Sequence, residues 1–252
     1  MSTTMAPPPD AGTPNTPALS EGQRIINIFA NPSATFADIK RSAAWWAPYL
    51  LISVFACIFV VTMQKKIGFE QVVENMKANM SEGDRERVEQ MPPAQRANMD
   101  KYQLAGVKYF SYAFPIAALV FALIASAILL AIYNFGLGAH LSYGRTLAVW
   151  FYSSVPSILK TVLAVITMFV IDPGNFNLEN PVVTNPGALV DHATHPALAT
   201  LLGGLDIFTL WFITLLGIGF SVAGNVKRKT SLTVMYGVYF AILLCRTAWA
   251  AR

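Results

Sequence analysis

The chain has 252 residues, of which 54% are hydrophobic and 13% are charged, and its mean hydropathy is +0.47. This composition is typical of a multi-pass membrane protein and argues against a soluble globular domain. The formal net charge of +4 does not indicate nucleic-acid binding, because the basic residues flank apolar segments instead of forming one patch. Cys57 and Cys245 both fall within apolar segments, so they predict neither a disulfide framework nor a metal site.

The region before the first apolar segment begins with a tail of low complexity. Residues 1–19 are rich in Pro, Thr and Ala without any periodicity, which predicts a disordered tail. Ser20 and Gln23 then have the spacing of a capping box, in which two side chains satisfy backbone N–H groups at the start of a helix. A first amphipathic helix is therefore predicted to begin at about residue 20.

A second short helix is predicted at about residues 34–41. It places Phe36 and Ile39 on one face and polar residues on the other. Two adjacent tryptophans follow at the edge of the first long apolar run, where indole rings suit the headgroup region of a bilayer. We interpret residues 20–44 as cytoplasmic amphipathic helices that lie on the membrane surface. A solvent-exposed linker helix is the alternative.

Five apolar runs follow, each long enough to cross a hydrocarbon core of about 30 Å at 1.5 Å per residue. They predict an all-α, polytopic, five-helix membrane domain over residues 45–252, with spans at about 47–63, 110–134, 146–171, 205–224 and 231–249. Pro156 lies far enough inside the third run to predict a kink. Small residues in the fourth run, Gly217, Gly219 and Ala223, would let another helix approach closely and are a candidate face for self-association.

Basic residues between the spans decide the predicted orientation. The connection 172–204 holds no Lys or Arg, so we predict that it is extracytoplasmic. Arg145 and the triplet Lys227-Arg228-Lys229 then lie on the cytoplasmic side. An odd number of spans places the N-terminus in the cytoplasm and the C-terminus outside. The connection 64–109 is extracytoplasmic by this alternation although it carries several basic residues, because long connections are less bound by the rule.

The sequence pattern also predicts helices within the connection 64–109. Phe69, Val72 and Met76 keep helical spacing, Pro92-Pro93 interrupts the pattern, and helical spacing then resumes. This predicts an extracytoplasmic helical hairpin that stands off the membrane. Its charges are interpreted as a solvated face, with a partner-binding head as the alternative.

Three charged residues inside or at the ends of spans are candidate functional residues, because such residues are costly in a bilayer. Counted at 1.5 Å per residue, Lys160 lies about 21 Å and Arg246 about 24 Å from the cytoplasmic side, near the level at which Asp206 begins the fourth span. A cluster of these three residues is therefore allowed. It is either a structural bridge with one spare basic residue, a site for an anion or anionic lipid, or a proton or ion relay.

No other residue pattern indicates catalysis, a cofactor or a metal. His192 and His195 are separated by one helical turn, but no third His or Cys accompanies them, so a polar loop is the better interpretation. Hydroxyl groups beside Pro156 have no neighbouring base that would activate a nucleophile. The chain contains no phosphate-binding loop and no hydrolase or metalloprotease motif. We predict a protein that is not an enzyme.

Several stretches, taken in order, resemble the bacterial branch of the YIP1 family. The entry to the first span carries Trp45, Trp46 and Pro48, and the third span carries Ser153, Ser154 and Pro156. The strongest match lies in the fourth span, at Leu205, Asp206, Phe208, Trp211 and Gly219. The resemblance covers nearly the whole chain from about Phe29 onward.

The resemblance implies a bundle of five membrane helices with a cytoplasmic N-terminus, in the inner membrane of a bacterium. Eukaryotic members of the family are associated with Rab GTPases and vesicle traffic. We therefore predict a scaffold or adaptor in membrane organisation or a trafficking-like process. The alternative is a transporter or lipid-handling protein that uses the Lys160/Asp206/Arg246 cluster. The expected partners are the lipid bilayer, an anionic lipid, another copy of the chain or a second membrane protein, and no nucleic acid.

Overall fold

The computed structural model describes residues 18–251, and over that range the chain forms helices and no strand. The α-helices are α1 (Glu21–Ala30), α2 (Pro32–Ile39), α3 (Trp46–Lys66), α4 (Phe69–Ala78), α5 (Glu82–Glu89), α6 (Pro93–Ala131), α7 (Tyr143–Ser153), α8 (Ser157–Val170), α9 (Pro196–Gly203), α10 (Ile207–Gly224) and α11 (Arg228–Ala250). The predicted disordered tail falls outside the described residues except for its last two positions.

Five helical segments are long and apolar enough to cross a membrane, which confirms the predicted all-α, multi-pass fold. They are α3, α6 with a π-helical extension to Gly136, α7 with α8, α10, and α11. The basic residues that flank α2, α7 and α11 lie at one end of this bundle, which we call the basic end. Helices α4 and α5 lie at the other end, which we call the head end.

The third span is interrupted where the sequence predicts a kink. Helix α7 ends at Ser153, and α8 begins at Ser157 with Pro156 as its N-cap. Proline has no N–H to donate and its ring clashes with the preceding turn, so a proline inside a helix kinks or breaks it, and at Pro156 the helix breaks. The Ser154 hydroxyl donates to the Trp150 carbonyl at 2.9 Å, within the last turn of α7.

Helix α6 joins the head end to the second span. Its 39 residues extend about 58 Å, nearly twice the thickness of a hydrocarbon core. Helix α4 packs against its first half, with the Phe69 and Tyr112 rings 5.8 Å apart and Lys77 2.9 Å from Asp100. The predicted hairpin region thus contains α4, α5 and the start of α6, but its last arm is continuous with the membrane span.

The fourth span is preceded by a short helix that packs beside α11. Gly204 and Gly217 both lie against leucines of α11, Leu243 and Leu232 respectively. The N-terminal half of α11 therefore pairs with α10 and its C-terminal half with α9. Asp206 lies in the short connection between α9 and α10. Because both helices pack along α11, Asp206 lies beside the middle of α11 and not beside either of its ends.

The apolar face of α2 packs against protein, which corrects the prediction that it faces the membrane. Thr35, Phe36 and Ile39 are buried, because α2 packs along α10 and against α7. Helical spacing in the sequence identifies the apolar face of α2, but it does not show whether lipid or protein packs against that face. Here a glycine, Gly219, leaves room in α10 for the Phe36 ring. Ile26 of α1 remains exposed.

The small residues of α10 are also used within the chain, so they do not form a free face for self-association. Gly217, Gly219 and Ala223 are buried. A Cβ at Gly219 would lie 2.6 Å from a methyl carbon of Val149 and 2.9 Å from the Phe36 ring, closer than real contacts allow.

We expect Gly219→Ala to lower the stability of the protein by about 2 kcal/mol, because the added methyl overpacks this contact. The matched control is Gly237→Ala in α11, where a Cβ meets nothing within 4 Å. That change should be neutral or stabilising, since Ala favours a helix over Gly by roughly 0.5–1 kcal/mol. Thermal unfolding in detergent measures both, and equal melting temperatures for the two variants would contradict the packing argument.

Candidate functional site

Two of the three charged residues singled out in the spans are in direct contact. The Lys160 Nζ of α8 lies 3.0 Å from the Asp206 Oδ2 at the start of α10. Asp206 is 3% exposed, whereas the Lys160 side chain is 28% exposed. The pair joins the third and fourth spans.

The Asp206 carboxylate receives further donors from its own turn and from the head-end loop. Its Oδ1 accepts the backbone N–H groups of Phe208 at 3.1 Å and Thr209 at 3.0 Å, and also the Thr209 hydroxyl at 3.3 Å. Its Oδ2 accepts the Thr184 hydroxyl in addition to Lys160. Five donors therefore surround a carboxylate that offers about four acceptor positions. An N-cap of this kind also satisfies orphan N–H groups of α10.

Arg246 does not join the pair, although its height along the bundle is similar. Its side chain is exposed, and within residues 18–251 no ion pair or hydrogen bond connects it to Asp206. The Tyr239 hydroxyl of α11 donates to the carbonyl of Gly204, two residues before Asp206. The predicted three-residue cluster is thus one contacting pair, Lys160 and Asp206, and Arg246 lies outside it.

A second polar cluster lies near the basic end, and the sequence pattern did not predict it. Arg24 of α1 is only 2% exposed. It contacts Asp38 of α2 at 2.6 Å and Glu21 at 3.1 Å, and Glu21 in turn accepts the Tyr152 hydroxyl of α7. These contacts fix α1 and α2 to the bundle. The capping box at Ser20 and Gln23 forms as predicted at the start of α1.

Hydrogen bonds and a nearby charge keep the buried Arg24 guanidinium protonated. Burial alone would lower the pKa of the Arg24 guanidinium, but the hydrogen bonds with Asp38 and Tyr152 and the charge of Glu21 raise it overall. Arg24 therefore remains protonated across the physiological pH range. The sequence offered no clear signal for this burial, because a basic residue in a short amphipathic helix ordinarily faces water.

A buried asparagine fastens the head end to the bundle. Asn75 of α4 donates to the carbonyl oxygens of Pro173 and Phe176, both at 2.8 Å, and its own side-chain oxygen accepts from Gln71 at 2.9 Å. Because one residue satisfies two carbonyl groups of the loop after α8, α4 is held in a fixed position over that loop.

Most of the remaining residues of the family resemblance pack against other helices. The Trp45 ring stacks on Phe151 at 5.6 Å, and Trp211 meets the Phe29 ring edge-on at 5.7 Å. Pro48 and Ser153 are buried, Leu205 and Phe208 are half-buried, and Trp46 is exposed.

The polar loop with His192 and His195 lines an open groove at the head end. Its walls are α5, the start of α9 and the end of α11 around Trp249, and its volume is about 790 Å³. Asp191 caps the loop by accepting the Ala193 N–H at 2.9 Å. Over the described part of the chain, no group of three or more His, Cys, Asp or Glu residues is placed to hold a metal ion.

Comparison with known proteins identifies the family. The Yip1 domain matches residues 26–250, which include all five membrane-spanning segments and the second half of α1. No curated protein and no solved structure matches the chain. Because the match covers nearly the whole chain and the fold has the expected five spans, the protein is an integral, multi-pass membrane protein of the Yip1 family.

Proposed function

We propose that the protein is a non-enzymatic scaffold or adaptor that organises partners within a membrane. The observation that carries this proposal is the saturation of Asp206, the buried carboxylate between the spans. Its oxygens already receive Lys160, Thr184 and three donors from the first turn of α10. A carboxylate with no spare acceptor position supports a structural bridge between helices more than a relay for ions or protons.

The two ends of the bundle supply the surfaces that a scaffold needs. At the head end, α5 is exposed along its length and α4 is fixed beneath it through Asn75. At the basic end, α1 presents Ile26 outward. We propose that the basic end faces the cytoplasm of a bacterial cell and that the head end faces away from it, since basic residues favour the cytoplasmic side. A membrane protein or a second copy of the chain would dock on these ends.

Site-specific photo-crosslinking in native membranes tests the scaffold proposal. A photoreactive residue at Arg87, which is 71% exposed on α5, should give discrete protein adducts. The same residue at Val120, which is exposed on the membrane-spanning part of α6, is the matched control and should give lipid adducts only. If the Arg87 position yields no protein adduct above the Val120 control, the head end is not a docking surface and the proposal fails there.

The second candidate function, lipid handling, is favoured by one observation: the Lys160 side chain is partly accessible although it pairs with Asp206. Reconstitution in vesicles that carry a fluorescent phospholipid separates the two functions. A scaffold should exchange lipid between leaflets no faster than protein-free vesicles. Exchange that is fast with the wild type and slow with Lys160→Met would favour lipid handling instead.

A further inference from the structure

The basic end gathers cationic side chains from elements that are distant in sequence. Lys40 follows α2, Arg145 lies in the first turn of α7, and residues 227–229 lie at the start of α11. The Lys40 ammonium donates to the Asn225 side-chain oxygen at 2.6 Å, and Arg145 donates to the Lys40 carbonyl at 2.9 Å. These contacts bring the five residues onto one surface, which we call the basic surface: Lys40, Arg145, Lys227, Arg228 and Lys229.

None of these five cations is paired with a carboxylate in residues 18–251. Where they have partners, those partners are neutral: an amide oxygen, a backbone carbonyl, and the Ser33 hydroxyl, which accepts from Arg228 at 2.8 Å. Two carboxylates of the N-terminal helices, Glu21 and Asp38, are engaged by Arg24 and, for Asp38, also by Arg41. The basic surface therefore carries uncompensated positive charge.

The start of α11 increases this positive potential. Its N-cap, Lys227, makes no side-chain capping bond, and its first turn contains no acidic residue. The first N–H groups of a helix carry about half a positive charge, which cations at the same end do not offset. An anion would stabilise this arrangement, because it would neutralise both the side chains and the helix end.

The height of the basic surface indicates which anion it meets. Trp46, which begins the first span at this end, is 54% exposed, and Tyr143, which begins the third span, is 39% exposed. Exposed aromatic residues at the ends of spans mark the headgroup level of a bilayer. The basic surface is therefore level with lipid phosphates, which are held there at high local concentration, in contrast to soluble anions.

We propose that the basic surface binds the phosphate groups of anionic phospholipids through Lys40, Arg145, Lys227, Arg228 and Lys229. The lipid would neutralise the start of α11 and, through Lys40 and Asn225, would hold the end of α2 against the loop between α10 and α11. This site lies at the opposite end of the bundle from the Lys160–Asp206 pair, and it holds whether or not the protein acts as a scaffold.

Native mass spectrometry of the purified full-length chain with phosphatidylglycerol or phosphatidylcholine tests this proposal. The informative variant is Lys227→Gln/Lys229→Gln, since both side chains are exposed and no carboxylate among the described residues binds them. Each cation near an anionic headgroup contributes roughly a fivefold change in affinity, so the double variant should bind phosphatidylglycerol about 30-fold more weakly. Lys229→Gln alone should show about fivefold weaker binding.

The matched control is Lys65→Gln/Lys108→Gln, which removes two exposed lysines near the head end. It should bind phosphatidylglycerol as tightly as the wild type, and phosphatidylcholine should bind weakly to every form. Equal losses in both double variants, or no loss in either, would overturn the proposal. It would also be overturned if millimolar inorganic phosphate displaced the lipid completely, because the site would then recognise the free anion. Unchanged melting temperatures without lipid establish that the variants are folded.

Discussion

Arg24→Met is expected to lower the stability of the protein by about 3–5 kcal/mol. Arg24 is almost completely buried between Glu21 and Asp38, and removing one partner of a buried ion pair leaves the other charge uncompensated. Because this cluster fixes α1 and α2 to α7, the variant should also release the N-terminal helices. Thermal unfolding in detergent measures the first effect. Tryptic cleavage after Lys40 and Arg41, which should become faster in the folded protein, measures the second.

The matched control for this prediction is Arg87→Met. Arg87 also forms an ion pair with a carboxylate three residues before it, but both side chains of that pair are more than half exposed. Exposed pairs of this kind contribute at most about 1 kcal/mol, so the control should melt close to the wild type. If Arg24→Met and Arg87→Met have the same melting temperature and cleavage rate, the buried cluster does not hold α1 and α2 in place.

Asp206→Ala is expected to have the second large effect, a loss of about 3 kcal/mol. The change removes the N-cap of α10, which contributes about 1 kcal/mol, and it leaves the Lys160 ammonium without its carboxylate. The loss is smaller than a fully buried pair would give, since part of the Lys160 side chain is accessible. For a chain of this size the melting temperature should fall by roughly 6–12 °C in a detergent unfolding experiment.

Two further variants separate the roles of Asp206. Asp206→Asn keeps an acceptor oxygen for the first turn of α10 but not the charge, so it should lose less stability than Asp206→Ala. Lys160→Met should also lose less, because four donors to Asp206 remain. If Lys160→Met were the most destabilising of the three, the carboxylate would depend mainly on the lysine and the saturation argument would be wrong.

Features that depend on the length of apolar runs were predictable from the sequence. The five spans follow from runs long enough to cross a bilayer, and the break between α7 and α8 follows from the missing N–H of Pro156. The contact of Lys160 with Asp206 was also within reach, because counting residues gives the height of a side chain along a helix. The same count placed Arg246 at a similar height, but it could not give the direction in which that side chain leaves α11.

Other features depend on which elements become neighbours, and the local pattern does not contain that information. The spacing of Phe36 and Ile39 defines an apolar face that lipid or protein could cover equally well, and the choice was made by the space at Gly219. Arg24 occurs in a short amphipathic helix, where a basic residue ordinarily faces water. Its burial requires Asp38 and Tyr152, which are distant in sequence.

The unbroken helix α6 makes the head end and the membrane part a single lever. A continuous helix resists bending, and α4 is fixed to its first half through Phe69 and Lys77. A force applied to α4 or α5 by a bound molecule would therefore be carried along α6, in which Pro115 is the expected point of bending, instead of being absorbed in a flexible linker. The far end of that lever is the π-helical segment Ile132–Gly136 beside the start of α11, where Tyr133 bonds to Ser231. The backbone of α6 and its π-helical end thus connect the head end to the basic end without an intervening loop.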